Sequence, residues 1–256
     1  MSAAGGRPRA GLMVTCLADL FRPQVGFAAA KLIEQSGCDV EVPAQTCCGQ
    51  PAYNAGDAND ARALARRVIA TFEPFDHVVV PSGSCAGMLR VHYLRLFESD
   101  AAWRPRAEAL AAKTHELFAF LVNVRGMKGV DAECRGFAAY HDSCSSLREN
   151  GVSAEPRQLL KSVRGLSVCE MRDREVCCGF GGLFSVKFPE ISARMADDKI
   201  ADAKNSGART IVGGDLGCLL HLAGRIARRG DHLRVRHAAE VLAGMADAPA
   251  IGEDKT

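Results

Sequence analysis

The chain has 256 residues, of which 48% are hydrophobic and 24% are charged, and its formal net charge is +2. This length allows one large domain or two modest ones, and either can bury a core. The small charge argues against a nucleic-acid-binding surface, which needs a clear basic excess. No apolar run approaches the roughly 18 residues of a membrane-spanning helix. We therefore expect a cytoplasmic protein with no membrane span.

Short β-rich runs alternate with helical patterns along the first half of the chain. The runs GLMVT, CDVEV and DHVVV predict three strands. Between the second and third runs, an amphipathic helix is predicted, and Pro74 should end it. The residues that share its apolar face are Ala61, Leu64, Val68, Ile69 and Phe72.

The middle of the chain, WRPRAEALAAKTHELFAFLVNVRG, predicts one continuous connector helix because its apolar residues recur at helical spacing. These residues are Leu110, Leu117, Phe118, Leu121 and Val124. The boundary between the halves then falls near residues 126–130, which gives a first domain over 10–125 and a second over 130–246. Residues 1–9 and 247–256 are expected to be frayed tails.

The second half repeats the pattern of the first. Its β-rich runs are GFAAY, LSVCE and TIVGG, and the helical segment between the last two has Pro189 near its start and Gly207 near its end. Strands that alternate with helices indicate parallel sheets covered by helices. The predicted fold class is therefore α/β, with two pseudo-symmetric lobes that arose by internal duplication, each a parallel β-sheet flanked by helices.

The eleven cysteines stand out, since the count is odd and the chain is large enough to fold without disulfides. Eight of them recur in the same order in the two halves, at offsets of 128, 130, 130 and 133 residues. Matching positions in a fixed order indicate a duplicated sequence. The first set is Cys16, Cys47, Cys48 and Cys85, and the second is Cys144, Cys177, Cys178 and Cys218.

The positions of these cysteines predict one site in each lobe. Each cysteine follows a β-rich run or lies in a turn before a helix, and ligands collect beyond the carboxyl ends of parallel strands. Each adjacent pair is followed by a glycine, Gly49 or Gly179, which can adopt positive φ and turn the chain so that both thiols face one centre. We expect four sulfurs at one sheet edge per lobe.

The spacing of the cysteines favours an iron–sulfur cluster over zinc. The first set is separated by 31, 1 and 37 residues, without the closely spaced pairs common in zinc sites. A cluster with several irons lets adjacent cysteines bind different metal atoms. Zinc in one or both lobes and buried structural cysteines are the alternatives.

The motifs TCCGQPAYNAG, HDSC and CCGFGGLFSVKFPEIS resemble those of the cysteine-rich (CCG) domain proteins, over about residues 10–245. The resemblance is to the lactate utilization branch, with heterodisulfide reductase and the iron–sulfur subunit of glycolate oxidase as relatives. It implies a [4Fe-4S]-type cluster in each lobe, bound by the eight cysteines. It also implies a cytosolic complex that oxidises L-lactate to pyruvate, with a ferredoxin-like iron–sulfur protein and a third small subunit as partners.

One departure from the family concerns the end of each motif. In the heterodisulfide reductase relatives each motif ends in CxxC, whereas here the last position is Met88 or His221. Thiol/disulfide chemistry is therefore only an alternative, as is a zinc-binding assembly subunit. We expect Met88 to pack in the core. His221 is either a nitrogen ligand or a packed side chain, and Cys38 and Cys169 are either substitute ligands or small buried hydrophobic residues.

Several other residues have two interpretations each. His141 and Asp142 either carry a proton beside the site or stabilise a turn. Tyr53 and Asn54 either line a cleft or shape a turn, and the basic stretch 224–237 either docks an acidic partner or forms a solvated helix face. No GxGxxG or P-loop pattern is present, so we expect no nicotinamide, flavin or ATP site. The subunit is expected to relay electrons rather than to accept a hydride.

Overall fold

A computed structural model describes residues 6–253, in which eight strands form two four-stranded parallel sheets. The elements of the first lobe are β1 (Arg9–Leu12), α1 (Cys16–Phe21), α2 (Gln24–Gln35), β2 (Asp39–Glu41), α3 (Gln50–Ala55), α4 (Ala58–Phe72), β3 (His77–Val80), α5 (Gly83–Gly87), a π-helical turn (Met88–His92), α6 (Tyr93–Leu96), α7 (Arg104–Lys113), β4 (Thr114–Glu116), α8 (Leu117–Ala119) and a second π-helical turn (Phe120–Val124).

The second lobe has a similar succession of elements. They are β5 (Glu133–His141), α9 (Cys144–Arg148), α10 (Ala154–Lys161), β6 (Arg164–Cys169), α11 (Leu183–Lys187), α12 (Pro189–Asn205), β7 (Thr210–Gly213), α13 (Leu216–Arg229), β8 (Arg234–His237) and α14 (Ala238–Leu242). Across residues 6–253, no helix is both long and apolar enough to cross a membrane.

The two sheets have the same topology. Their strand orders are β2-β1-β3-β4 and β6-β5-β7-β8, and all pairs are parallel. In both sheets the first and third strands of the lobe are central, and in β1, β3 and β7 the residues after the first position are buried. The prediction of an α/β fold with two similar lobes is therefore confirmed.

The prediction of one continuous connector helix is wrong. Helix α7 ends at Lys113, and the next three residues form β4, which pairs with β3 so that His115 lies opposite Val79. The carboxyl group of Glu116 then accepts hydrogen bonds from the backbone N–H groups of Phe118 and Ala119 and starts α8. Strand pairing and this cap outweigh the helical periodicity of the segment.

The interpretation of residues 224–237 as one helix face also needs correction. Helix α13 ends at Arg229 and is capped by Gly230 at φ +66°, after which β8 pairs with β7. Arg225 and Arg229 both form salt bridges with Asp197 of α12. Much of the positive charge of this stretch is therefore compensated within the second lobe.

The predicted tails are shorter than expected. Arg9 already belongs to β1, and the backbone N–H of Ile251 donates to the carbonyl of Val235 over 2.8 Å. Ile251 is buried against the second lobe. The prediction is therefore wrong for these segments, and its remaining residues, 1–5 and 254–256, lie outside the described residues.

An apolar cluster with residues from both lobes joins the two sheets. Leu12 and Leu32 of the first lobe pack in it with Tyr140 and Val212 of the second. Helix α2 lies against α14, and Lys31 donates a hydrogen bond from Nζ to the carbonyl of Ala243 over 2.7 Å. This shared core fixes the orientation of the lobes, so that residues after β1, β3 and β7 line one cleft.

Candidate metal centres

The four cysteines of the first set meet at the carboxyl edge of the first sheet. Cys16 begins α1 directly after β1, Cys47 and Cys48 lie in the loop after β2, and Cys85 lies in α5 after β3. The sulfurs of Cys16 and Cys47 are 3.8 Å apart, and those of Cys48 and Cys85 are 3.4 Å apart. The adjacent cysteines therefore belong to different pairs.

The second set repeats this arrangement. Cys144 begins α9 after β5, Cys177 and Cys178 lie in the loop after β6, and Cys218 lies in α13 after β7. The thiol of Cys177 interacts with Cys144 and Cys178, and that of Cys178 interacts with Cys177 and Cys218. The eight predicted residues thus form two groups of four, one at the carboxyl edge of each sheet.

Glycine turns the chain at each pair of adjacent cysteines. Gly49 has φ +84° and Gly179 has φ +88°, and their N–H groups donate to the sulfurs of Cys47 and Cys177 over 3.5 and 3.3 Å. A left-handed residue here reverses the chain between the loop and the helix that follows. The same turn supplies a hydrogen bond to one sulfur of each group.

Hydrogen bonds from neighbouring groups favour one thiolate in each lobe. The thiol of Cys16 donates to Cys47 and holds the pKa of Cys47 far below its usual range, with smaller effects from Cys48 and from the Gly49 N–H. The thiol of Cys144 lowers the pKa of Cys177 in the same way. The thiolate is the form that binds metal, and these contacts favour it at Cys47 and Cys177.

The donor sets fit a thiolate-bound metal. Two thiolates on one tetrahedral ion, each at about 2.3 Å, lie about 3.8 Å apart, which is close to the spacing of the observed sulfur pairs. Four sulfurs form a soft donor set, which suits zinc or iron–sulfur centres better than magnesium or calcium. Sulfurs this close can share one metal atom, and the type of donor suits either zinc or an iron–sulfur centre.

Comparison with known proteins agrees with the geometry. A model of the cysteine-rich domain (CCG) matches residues 10–90 and 138–223, which contain four of the eight cysteines each. Lactate utilization protein A of Geobacillus kaustophilus is 47% identical over 235 residues, which cover 91% of this chain and 98% of that protein. This chain belongs to the CCG family, in its lactate utilization protein A group. The resemblance predicted from the motifs is thereby confirmed.

Other relatives with the same name are similar over the same extent. Lactate utilization protein A of Bacillus subtilis is 45% identical over 235 residues, covering 91% of this chain and 98% of that protein. That of Exiguobacterium is 46% identical over 238 residues, covering 92% of this chain and 97% of that protein. The similarity of the CCG protein to these relatives therefore extends over both lobes.

The residues at the end of each motif have contacts of their own. Met88 is fully buried in the apolar core of the first lobe. His221 Nε2 lies 3.2 Å from Ser192 Oγ, and this hydroxyl donates to the carbonyl of Gly179 over 2.8 Å. His221 therefore supports the glycine turn through Ser192.

The two cysteines considered as substitute ligands have different surroundings from one another. Cys38 is fully buried in the core that joins the two sheets. Cys169 is half-buried in β6, opposite Ala139 of β5. Neither is among the thiols that share hydrogen bonds with the two sets.

His141 and Asp142 have different surroundings although they are adjacent. Asp142 accepts two hydrogen bonds from the guanidinium group of Arg157, over 2.7 and 2.6 Å, so its carboxylate holds the turn after β5. A nitrogen of the His141 ring and the sulfurs of Cys178 and Cys218 all lie within 4.8 Å of one another. Burial lowers the pKa of His141 to about 4, so the imidazole is neutral. Sequence reasoning placed His141 beside the site but missed its position among the sulfurs.

Two cavities in the cleft between the lobes open onto the cysteines. One of about 370 Å³ is lined by Cys16 and Cys85 of the first lobe and Asp215 of the second. The other, of about 250 Å³, is lined by Cys144 and Cys218. Asn54 lines both cavities. The cleft thus gives access to both candidate centres.

Hydrogen bonds between the lobes border this cleft. His92 Nε2 lies 3.0 Å from Glu149 Oε1, and the ring of Tyr53 packs on that of His92 at 4.8 Å. The backbone N–H of Ser84 donates to Asp215 Oδ2 over 2.8 Å. These contacts hold the two sets of cysteines in a fixed relation across the cleft.

Proposed function

We propose that the protein is an electron-transferring iron–sulfur subunit of a cytoplasmic complex that oxidises L-lactate to pyruvate. The observation that carries the proposal is the pair of equivalent four-cysteine sets that border one cleft. We take lactate as the substrate because the relatives are named for lactate utilization. In this proposal, domains 10–125 and 130–246 each hold one [4Fe-4S]-type cluster.

The chain supplies the ligands and their environment. The proposed ligands are Cys16, Cys47, Cys48 and Cys85 in the first lobe and Cys144, Cys177, Cys178 and Cys218 in the second. When bound, such clusters exchange single electrons at potentials set by hydrogen bonds to sulfur, local charge and exposure to solvent. The N–H groups of Gly49 and Gly179 already donate to a sulfur in each set, so the turn that places the thiols also stabilises their negative charge.

Oxidation of lactate to pyruvate releases two electrons and two protons, and this chain has no nucleotide or flavin motif to accept a hydride. We therefore assign the electron acceptors to the partner subunits, which are a ferredoxin-like iron–sulfur protein and a third small subunit.

The cysteines of each set differ in exposure. Four of them are only partly buried, namely Cys16, Cys47, Cys144 and Cys177, and the other four are buried. Cys16 and Cys47 line the cleft in the first lobe, and Cys144 lines it in the second.

A thiol/disulfide reductase is less well supported. In that chemistry the family uses a fifth thiol at the position of Met88 or His221. Met88 has an apolar thioether that is fully buried in the core, and His221 is hydrogen-bonded to Ser192. The chain therefore offers no fifth thiol at either place.

The proposal is tested by measuring iron, zinc and acid-labile sulfide per chain in protein purified without oxygen. We expect about eight irons and eight sulfides, with broad absorption near about 400 nm. Cys85→Ser and Cys218→Ser should each remove about half of the iron and sulfide, because they act on different lobes. In the assembled complex, L-lactate should bleach the absorption near about 400 nm. Stoichiometric zinc without sulfide would contradict the proposal.

A further inference from the structure

The two sets of cysteines have different neighbours at one matching position. His141 ends β5 three residues before Cys144, and the residue three positions before Cys16 is Met13. Both side chains are about 1% exposed. A nitrogen donor is therefore buried beside the second set, where the first set has an apolar thioether.

The His141 imidazole lies at a distance suited to sharing a metal with two cysteines. Its ring nitrogen and the sulfurs of Cys178 and Cys218 lie within 4.8 Å of one another, and no other group of three such ligand atoms among residues 6–253 is as compact. Nitrogen and sulfur ligands of one tetrahedral metal lie about 3.5–3.8 Å apart. A small adjustment of the side chains brings all three onto one metal position.

Neither ring nitrogen of His141 has a hydrogen-bond partner within residues 6–253, although the side chain is buried. The other fully buried imidazole, His237, shows the usual arrangement: its Nε2 lies 3.2 Å from the carbonyl of Pro81, and its Nδ1 accepts from the N–H of Ala239. Buried polar groups are normally paired in this way. The exception at His141 points to a ligand that the protein side chains do not supply.

We propose that His141 is a ligand of the metal position bound by Cys178 and Cys218. The second centre then has mixed sulfur and nitrogen donors, and the first has sulfur donors only. The inference rests on the proposed function in one respect, that the second lobe holds a metal centre. It adds a ligand outside the eight cysteines and makes the two centres chemically distinct.

This difference has a consequence for electron flow. Because an imidazole ligand is neutral, His141 adds a donor to the second centre without the negative charge that a further thiolate would bring. Lys199 of α12 adds positive charge, since its buried ammonium group interacts electrostatically with Cys178. The matching helix α4 of the first lobe buries only apolar side chains. This positive charge, which the matching helix of the first lobe lacks, should make the second centre the more easily reduced of the two.

The test compares the wild-type protein with His141→Ala, and uses His221→Ala and Met13→Ala as controls. His221 is a nearby histidine with its own hydrogen bond, and Met13 occupies the matching position of the other lobe. The proteins are labelled with ¹⁵N-histidine, purified without oxygen and partly reduced, and pulsed EPR measures nitrogen coupling to the paramagnetic centre. We expect the coupling of a metal-bound imidazole in wild type and both controls, and its loss in His141→Ala.

Absence of this coupling in the wild type, or its persistence in His141→Ala, overturns the inference. If His141→Ala loses the second centre altogether, His141→Cys supplies a thiol at the same place. That variant should retain metal, show no nitrogen coupling and have a lower midpoint potential in the second centre only. A spectrum and potential identical to those of the wild type would overturn the inference.

Failure of the proposed function gives a different result. Zinc without sulfide would contradict the iron–sulfur proposal. The ligands of the zinc would then be identified by X-ray absorption at the zinc edge. His141 ligation predicts a nitrogen neighbour of the second-lobe zinc that is lost in His141→Ala and kept in His221→Ala. An all-sulfur zinc environment in the wild type would overturn the inference itself.

Discussion

At the scale of single residues, the CysCysGly turns depend on a conformation that glycine adopts easily. Gly49 and Gly179 both have positive φ, and a Cβ atom on Gly179 would lie 2.5 Å from the carbonyl oxygen of Ser192. The hydroxyl group of Ser192 also donates a hydrogen bond to the carbonyl of Gly179 and lies beside the ring of His221. Gly179 therefore determines both the direction in which the adjacent thiols point and how closely α12 packs on the turn.

Gly179→Ala should disrupt the second centre more than a comparable change elsewhere. The left-handed backbone and the overlap with Ser192 together should lower the free energy of unfolding by about 2–4 kcal/mol. Urea unfolding and metal content per chain measure the effect. Gly207→Ala is the matched control, because Gly207 has φ +83° but no heavy atom within 4 Å of its Cβ position. It should cost about 1 kcal/mol and keep the metal. Equal effects of the two changes would contradict this account.

At the scale of elements, the junction between β4 and α8 depends on a buried acid. One oxygen of Glu116 accepts from the N–H groups of Phe118 and Ala119, and the other has no partner within residues 6–253. Burial raises the pKa of Glu116 to about 8, although the two hydrogen bonds oppose that shift. The carboxyl group is therefore protonated in the folded protein at pH values where the unfolded chain has lost the proton.

This difference makes stability depend on pH. Because the folded state binds the extra proton, the stability that Glu116 contributes is complete below the ordinary glutamate pKa and is lost as the pH rises through the folded value. Between roughly pH 5 and 8, the unfolding free energy of the wild type relative to Glu116→Gln should fall by up to about 1.4 kcal/mol per pH unit. Urea unfolding of both proteins at pH 5, 6.5 and 8 measures it. Parallel pH profiles would show that Glu116 does not titrate as proposed.

The sequence pattern predicts three strands of each sheet and the long helix before the third, but it misses the fourth strand of each sheet. The central strands β3 and β7 are runs of buried β-branched residues, which predict strands directly. In contrast, β4 has three residues, all of them polar, and β8 alternates arginine with valine and histidine. Short polar strands at the edge of a sheet form because a neighbour offers hydrogen bonds, and local sequence does not record that neighbour.

The candidate site shows the same limit. The duplication alone predicts which eight cysteines gather, since each follows a strand of a repeated unit. The place of His141 depends on the orientation of its ring and on the absence of a hydrogen-bond partner within residues 6–253, and neither can be read from the motif HDSC. His221 lies three residues after Cys218, a spacing that suggests a ligand, but its ring contacts Ser192 beside the glycine turn.

At the scale of the whole molecule, the two lobes are bound together by buried apolar and charged contacts. The cluster that contains Leu32 joins both sheets, and Arg22 forms a salt bridge with Glu240 over 2.9 Å, with both side chains largely buried. Breaking a buried pair of this kind is costly because it leaves an unpaired charge. The lobes should therefore unfold together, and the cleft should keep its width as electrons pass.

Leu32→Ala tests this coupling. Leu32 lies on α2 and is fully buried, so truncation should lower the free energy of unfolding by about 2–5 kcal/mol. Because its cavity opens in the shared core, hydrogen exchange should speed up in β5 and β7 of the second lobe as well as in β1. Leu110→Ala is the matched control, since Leu110 is equally buried in a cluster that belongs to the first lobe alone. It should cost a similar free energy of unfolding and leave exchange in β5 and β7 slow. Slow exchange of these strands in both variants would mean that the lobes open independently.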